Sequence, residues 1–175
     1  LQKWVFGVGV STDSGPRLSV DHIHNRMPLL GWRAVTKAQY DRKAKLLSTD
    51  WTALPGEDGW RWFTGGQVQR ETTGDYEVNS ARVRGGRTKS SDRIDRSAYL
   101  QYDYASNQGE DAPPSSSALT ANYSWTGRHF NSPTRPTRGF GLAWDLGPGT
   151  TLTPERDTFV RALARGLYFV PLGQV

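Results

Sequence analysis

Residues 6–21 read FGVGVSTDSGPRLSVD, and this stretch decides how the rest of the chain is interpreted. Large apolar residues alternate with small ones from Phe6 to Val10, and the alternation resumes at Leu18 after a Gly-Pro pair. Side chains along a β-strand point to opposite faces in turn, so the pattern predicts two strands that share one apolar face. A soluble domain would bury that face in its core, whereas a membrane β-barrel would turn it outward into lipid.

The period of two continues along almost the whole chain and predicts about ten strands separated by turn residues. The sequence therefore predicts an all-β fold, an antiparallel up-and-down meander in a single domain over residues 1–175. The predicted strands cover residues 3–12, 17–21, 32–40, 47–53, 60–69, 76–84, 98–104, 119–126, 140–146 and 160–169.

Glycine, proline and serine mark the predicted connections between these strands. We expect a turn at 85–92, a mobile low-complexity loop at Ala105–Ser117, and a loop around Pro148 and Pro154. The link between the seventh and eighth strands is expected to be the longest. The strand at 76–84 is too polar for its two faces to be assigned from the sequence.

The composition is compatible with a membrane β-barrel and excludes several other classes of protein. Apolar residues make up 35% of the chain, and no run approaches the roughly 18 apolar residues that a membrane-spanning helix needs. A transmembrane β-barrel meets lipid with alternate residues only, so it needs no such run. The lack of cysteine excludes disulfides, thiolate metal sites and a cysteine nucleophile.

The net charge is compatible with nucleic acid, anionic lipid or a solvated surface. The net charge of +5 comes from 22 Lys and Arg against 17 Asp and Glu, which are spread along the chain without a basic block. No nucleic-acid partner is therefore expected. Residues 1–4 lack the charged and apolar regions of a signal peptide, which favours a mature form or a piece of a longer chain.

The two faces of the predicted strands favour a barrel over a sandwich. One face carries polar residues that suit a hydrated lumen, namely Arg33, Lys37, Gln67, Gln69 and Arg161. The other face carries aromatic residues near the strand ends, as the aromatic girdle of a membrane barrel does. The predicted lipid-facing girdle consists of Trp4, Trp32, Tyr40, Trp51, Trp62, Tyr123, Trp125 and Trp144. The alternative is a soluble β-barrel or sandwich that binds a small apolar ligand, in which these aromatic residues form the core.

No group of residues predicts an enzyme, a metal site or a bound cofactor. His22 and His24 have a spacing that can chelate a metal, but no third ligand is close in sequence, so polar strand residues are the simpler interpretation. Ser11 and Asp13 are accompanied by no nucleophile elbow and no oxyanion hole, which a hydrolase would require.

Two stretches, more than a hundred residues apart, carry a family resemblance. Residues 7–35 read GVGVSTDSGPRLSVDHIHNRMPLLGWRAV, with a glycine-rich first strand, an STD-GPR hairpin and a turn that ends in glycine. Residues 136–149 read PTRGFGLAWDLGPG, and residues 159–173 read FVRALARGLYFVPLG. In this order they resemble the barrel of the Omp85 superfamily of outer-membrane proteins, in particular its translocation and assembly module (TamA-like) branch. The STDSGPR segment is the more specific part of the match.

The resemblance implies a function in membrane assembly. It implies a barrel in the bacterial outer membrane that helps to insert or translocate outer-membrane proteins such as autotransporters. The implied partners are outer-membrane lipid, outer-membrane protein clients and a periplasm-spanning TamB-like protein, and the family uses no cofactor. Its first strand is thought to open and pair with incoming strands through exposed backbone groups. This client-pairing edge corresponds here to Val5, Phe6, Gly7, Val8, Gly9 and Val10.

The chain departs from the family pattern in its extent. The family barrel normally has about sixteen strands and follows periplasmic POTRA domains, whereas about ten strands are predicted here. The final PLGQV lacks the terminal aromatic residue typical of the last strand, and Arg138-Gly139-Phe140 occupies a shorter turn than the lumenal RGF motif does. The resemblance is therefore to the first part of the barrel.

Overall fold

A computed structural model describes residues 1–12, 15–73, 76–109, 112–132 and 134–171. Outside these residues lie Asp13, two residues of the expected 105–117 loop, and the chain end at 172–175. None of the described residues is helical, and no described segment forms a helix long and apolar enough to cross a membrane.

Ten strands form one antiparallel sheet in which each strand pairs with its neighbours in sequence. The predicted all-β, up-and-down meander is thereby confirmed. Among the described residues β1 and β10 do not pair with each other, so the sheet is open and has two edges. The strands are β1 (Gln2–Ser11), β2 (Gly15–His24), β3 (Arg33–Tyr40), β4 (Ala44–Thr52), β5 (Arg61–Thr73), β6 (Tyr76–Ser90), β7 (Ile94–Gly109), β8 (Ser116–Phe130), β9 (Gly139–Thr153) and β10 (Thr158–Phe169).

Several strands are longer than the sequence indicated, so the expected connections at 85–92 and 105–117 are too wide, and the link between the seventh and eighth strands is not the longest. Residues 85–90 continue β6, because they pair with β7 as far as Ser90. Residues 105–109 belong to β7 and residues 116–117 to β8, so only 110–115 link these strands. The β2–β3, β4–β5 and β8–β9 links each contain more residues than this one. Polarity is a poor guide here, because a strand whose neighbours satisfy its backbone does not require apolar side chains.

The expected loop around Pro148 and Pro154 is confirmed at Pro154, in the β9–β10 link, and wrong at Pro148, which lies inside β9. It pairs with Val160 of β10, whereas the ladder between β8 and β9 is interrupted at this point. Thr120 pairs with Gly149 and Tyr123 with Leu146, and no pair is formed between them. Proline has no N–H to donate, so it is tolerated where the ladder already lacks a bond.

Neighbouring strands are staggered along the sheet. Gln2 is the first residue of β1. The line of cross-strand partners that begins there passes through Ala34, Thr64 and Leu100 and reaches Ala121, which lies in the interior of β8. A sheet with such a stagger has its strands tilted with respect to its long direction. Tilt and stagger are the geometric conditions for curving a sheet into a barrel wall.

The sheet is a single layer with almost no interior. Its accessible surface is 12707 Å², whereas a compact monomer of this mass would expose about 8,500 Å². Ala34 is the one buried apolar residue among those described. The described residues therefore form no second sheet and no packed core that could hold the strands together.

The most buried side chain of the described residues belongs to Asp41, in the turn between β3 and β4. It is 1% exposed, and its Oδ1 accepts hydrogen bonds from the backbone amides of Lys43 (2.9 Å) and Ala44 (2.6 Å). Its Oδ2 accepts a 3.4 Å bond from Arg17 of β2. The bond from Ala44 is the main cause that lowers the pKa of Asp41, with Lys43 and Arg17 acting in the same direction and burial in the opposite one.

We predict that Asp41→Asn destabilises the fold at neutral pH and that this effect disappears in acid. Because the pKa of Asp41 in the fold lies below the ordinary value of 3.8, the carboxylate stabilises the fold above about pH 4. That stabilisation is lost as the pH falls through the lowered pKa. Urea unfolding midpoints of both proteins between pH 7 and pH 3 would measure it. Asp92→Asn, in the exposed β6–β7 link, is the control, and a pH-independent difference for Asp41→Asn would contradict the prediction.

A second prediction concerns the close approach of β6 and β7 at Gly86. A methyl group there would overlap the carbonyl oxygen of Ala98 and lie 2.5 Å from Cα of Tyr99, whereas at Gly66 the nearest atom would be 3.9 Å away. We expect Gly86→Ala to lower the free energy of unfolding by about 1–3 kcal/mol, the usual cost of overpacking. Gly66→Ala is the matched control and should be neutral or stabilising by about 0.5–1 kcal/mol. Equal urea midpoints for the two variants would show that the β6–β7 spacing is not tight.

Candidate functional site

The strand register separates the side chains into two faces that continue across the whole sheet. Residues directly opposite each other on neighbouring strands lie on the same face. We call apolar face the side defined by the line Trp4, His22, Thr36, Thr49, Gly66, Val83, Tyr102, Leu119, Thr150 and Thr158, and polar face the opposite side.

The apolar face is the more exposed of the two. Val8 is 81% exposed, Phe6 71% and Leu100 59%, and all three lie on this face. Along β7 the burial alternates strictly from Arg96 to Ala105, with the apolar face exposed and the polar face half-buried. This is the reverse of the distribution in a soluble protein, in which the exposed side of a sheet is the polar one.

A band without charged residues crosses the apolar face. On β6, for example, Asn79, Ala81, Val83 and Gly85 lie between Glu77 and Arg87 on this face. The ten residue steps between the two charges span about 34 Å along the strand. With the strand tilt of about 40° found in membrane barrels, this corresponds to a height of about 26 Å, close to the apolar band of such barrels. The structure also settles the facing of 76–84, which the sequence left open.

The predicted girdle residues are brought together on the apolar face. We call turn rim the edge that carries the β1–β2, β3–β4, β5–β6, β7–β8 and β9–β10 links, and chain-end rim the opposite edge. Tyr40 lies at the turn rim, and most of the tryptophans lie in the half of the strands nearer the chain-end rim. The register places on this face Trp4, Tyr40, Trp51, Trp62, Tyr123, Trp125 and Trp144, while Trp32 precedes β3.

Besides Phe6 of the predicted client-pairing segment, four aromatic residues in the described part of this face were missing from the predicted girdle. Tyr102 and Tyr104 pair with Val83 and Ala81 on the apolar face. At the chain-end rim, Phe140 and Tyr168 are partners on β9 and β10. Tyr102 and Tyr104 alternate with Gln101 and Asp103 in the sequence, and counting every aromatic residue of each strand would have found all four.

The polar face carries a network of charged and amide side chains. Arg84 Nη2 donates to Asp50 (2.9 Å), and Arg82 Nε donates to Asp103 (2.6 Å), which also accepts from Gln101 (2.7 Å). All of the predicted lumenal residues lie on this face, and three of them take part in side-chain hydrogen bonds there: Gln67 donates to Gln69, and Arg161 donates to Asn122. These ion pairs are partly exposed, so each contributes little stability, but together they make this face hydrophilic.

The histidine pair lies on the apolar face beside β1. The ring of His22 stacks on Trp4 with 4.1 Å between centroids, and the rings of His22 and His24 are 6.1 Å apart. Nε2 of His22 and Nδ1 of His24 have no hydrogen-bond partner. In the described part of the chain no third His, Asp or Glu joins them to form a metal-binding group. Ser11 ends β1, and Asp13 lies outside the described residues.

The predicted client-pairing segment, Val5–Val10, forms most of the edge strand β1. Phe6, Val8 and Val10 lie on the apolar face, and the other three residues lie on the polar face. A methyl group at Gly9 would contact nothing within 4 Å, and one at Gly7 would meet only the movable hydroxyl of Ser19. Close backbone packing therefore does not require glycine at Gly9, and strand formation would favour a larger residue.

Both edge strands lack a neighbour on one side. Large apolar side chains of the polar face are exposed on β1 and β10 alone among the described strands, at Val5, Phe159, Leu163 and Leu167. Unpaired backbone donors and acceptors accompany them, and such an edge is a template for a further strand. The sequence matches no family model and no curated protein.

Proposed function

We propose that this chain forms part of the wall of a β-barrel in the bacterial outer membrane. The observation that carries the proposal is the exposed apolar face, which is continuous over ten strands and free of charge between the two rims. Burying apolar surface is worth about 25 cal/mol per Å², so a face of this size needs a cover. A bilayer covers one side of a sheet and leaves the other side wet, which fits the charged network of the polar face.

The lipid-facing role of the girdle residues follows from the same placement. In the proposed barrel, Trp51 and Trp62 lie at one membrane–water interface and Tyr40 at the other, where amphipathic rings are favoured. The soluble alternative needs these rings in a core. Trp62 is 56% exposed and Tyr40 is also 56% exposed, so these two rings do not lie in a core.

We further propose that the barrel helps to insert or translocate outer-membrane proteins such as autotransporters, with β1 as the strand that pairs with the client. The support is the unpaired edge of β1, the open space beside Gly9 and the resemblance of residues 7–35 to the Omp85 superfamily. An incoming strand would add to this edge through backbone hydrogen bonds, so no cofactor or covalent chemistry is needed. A periplasm-spanning TamB-like partner is proposed on the resemblance alone.

The membrane placement predicts a difference between adjacent positions of β3. Ala38 lies on the apolar face, between Val20 and Leu47, and Gln39 lies on the polar face. A charge on the lipid face of a barrel costs about 2–4 kcal/mol at the bilayer midplane and far less on the lumenal face. We therefore expect Ala38→Arg to lower the yield and the unfolding free energy in phospholipid vesicles, with Gln39→Arg as the matched control. Equal tolerance of the two substitutions would contradict the membrane placement.

The edge function predicts where a client crosslinks. Because the chain contains no cysteine, a single introduced thiol reports one position. We expect Gly9→Cys on the β1 edge to form disulfides with cysteines in an arrested autotransporter strand in proteoliposomes. Gly66→Cys, on the apolar face of the inner strand β5, is the control and should form none. Crosslinks at Gly66→Cys, or at Gly166→Cys of β10 but not at Gly9→Cys, would exclude β1 as the client-pairing edge.

A further inference from the structure

A groove lies on the apolar face near the turn rim. Its volume is about 410 Å³, and its floor consists of Leu47, Val68, Ala81 and Tyr104. These four side chains form one line of cross-strand partners from β4 to β7. Ala81 is the smallest of them and lies between Val68 and Tyr104, which creates the depression.

Two cations lie directly beside this floor. Lys45 and Arg70 are opposite each other in the next line of partners toward the turn rim, two residues from Leu47 and Val68. Like charges in this position destabilise a sheet. Glu77 accepts a hydrogen bond from Arg70, and the Nζ of Lys45 lies 5.2 Å from the ring centroid of Tyr40. One acidic group therefore faces two basic groups, and the cluster keeps a positive charge.

We propose that this groove binds an anionic phospholipid. One acyl chain lies on Leu47, Val68, Ala81 and Tyr104, and the phosphate lies between Lys45 and Arg70. The proposal rests on the membrane placement of the apolar face. The cations suit the phosphate and the apolar floor suits the acyl chain. The floor is about 7 Å, or two strand residues, from the cations, so one lipid molecule can contact both.

The opposite rim lacks this combination. Lys89 and Arg96 also face each other on the apolar face, but neither lines the groove described above, and the Nζ of Lys89 donates to the carbonyl oxygen of Asp58 (2.6 Å). Arg87 is 5.1 Å from the ring centroid of Trp62 and 5.6 Å from that of Trp60, an arrangement like that of Lys45 over Tyr40. The cation pair Lys45 and Arg70 therefore differs from these cations in adjoining the apolar groove.

Lipid retention measured by native mass spectrometry tests the proposal. The protein is reconstituted in vesicles of equal parts phosphatidylglycerol and phosphatidylcholine, extracted in mild detergent, and analysed for bound lipid. We expect retained phosphatidylglycerol in excess, and a loss of that preference in Lys45→Gln/Arg70→Gln by roughly fivefold for each cation removed. Arg33→Gln/Arg61→Gln, which removes the same charge from the polar face, is the control and should keep the preference.

A second variant separates a lipid from a free phosphate ion. Ala81→Phe fills the groove and leaves both cations in place, so it should reduce phosphatidylglycerol retention to the level of the double variant. Unchanged retention in Ala81→Phe, or no preference for phosphatidylglycerol in the original protein, would overturn the lipid site. Failure of the protein to insert into vesicles at all would instead contradict the proposed barrel, so the two failures are distinguishable.

Discussion

The register between strands is the constraint on which the rest of this structure depends. Side chains alternate between faces with a period of two, so a slip of one residue in any ladder would move a whole strand's apolar side chains to the polar face. Phe6 on β1 and Ala164 on β10 share one face only because none of the nine ladders between them is shifted by a single residue along its whole length. Tight turns fix the register, and Asp41 is the clearest example, because its carboxylate holds the amides of the β3–β4 turn.

Backbone hydrogen bonds supply the cohesion that packing supplies in a globular domain. The described strands have neighbours within the sheet but no layer above or below it, so most backbone N–H and C=O groups of β2–β9 bond to a neighbouring strand. In the proposed barrel the bilayer covers the apolar face, and water or a client occupies the space beside Arg82 and Asp103. The sheet then separates two solvents, and its stability depends on both.

The sequence allowed the fold class and the two faces to be predicted, and it failed on the limits of the strands. Alternation of large and small residues, as at Phe6–Val10 and Trp32–Tyr40, has a direct physical cause in the pleat of a strand. The polar segments 85–90 and 105–109 belong to strands because β6 and β7 satisfy each other's backbone, which composition does not report. Pro148 was misplaced because the gap in the β8–β9 ladder depends on two distant segments.

The candidate surfaces were also predictable only in part. Seven of the eight girdle residues could be placed on one face from local alternation, whereas the groove over Ala81 could not. Its floor consists of Leu47, Val68, Ala81 and Tyr104. These residues become neighbours only through the lengths of three links and the stagger of four strands. Local patterns therefore identify a face, and only the register identifies a site on it.

The nearest-neighbour topology has a consequence for how the sheet forms. Each strand pairs only with the strands before and after it, and the links between them contain few residues. Closing a short loop costs little chain entropy, and contacts that are local in sequence form quickly. The sheet can thus form one hairpin at a time in the order of synthesis. At every stage the last strand formed has an unpaired edge, to which the next strand of the chain can add.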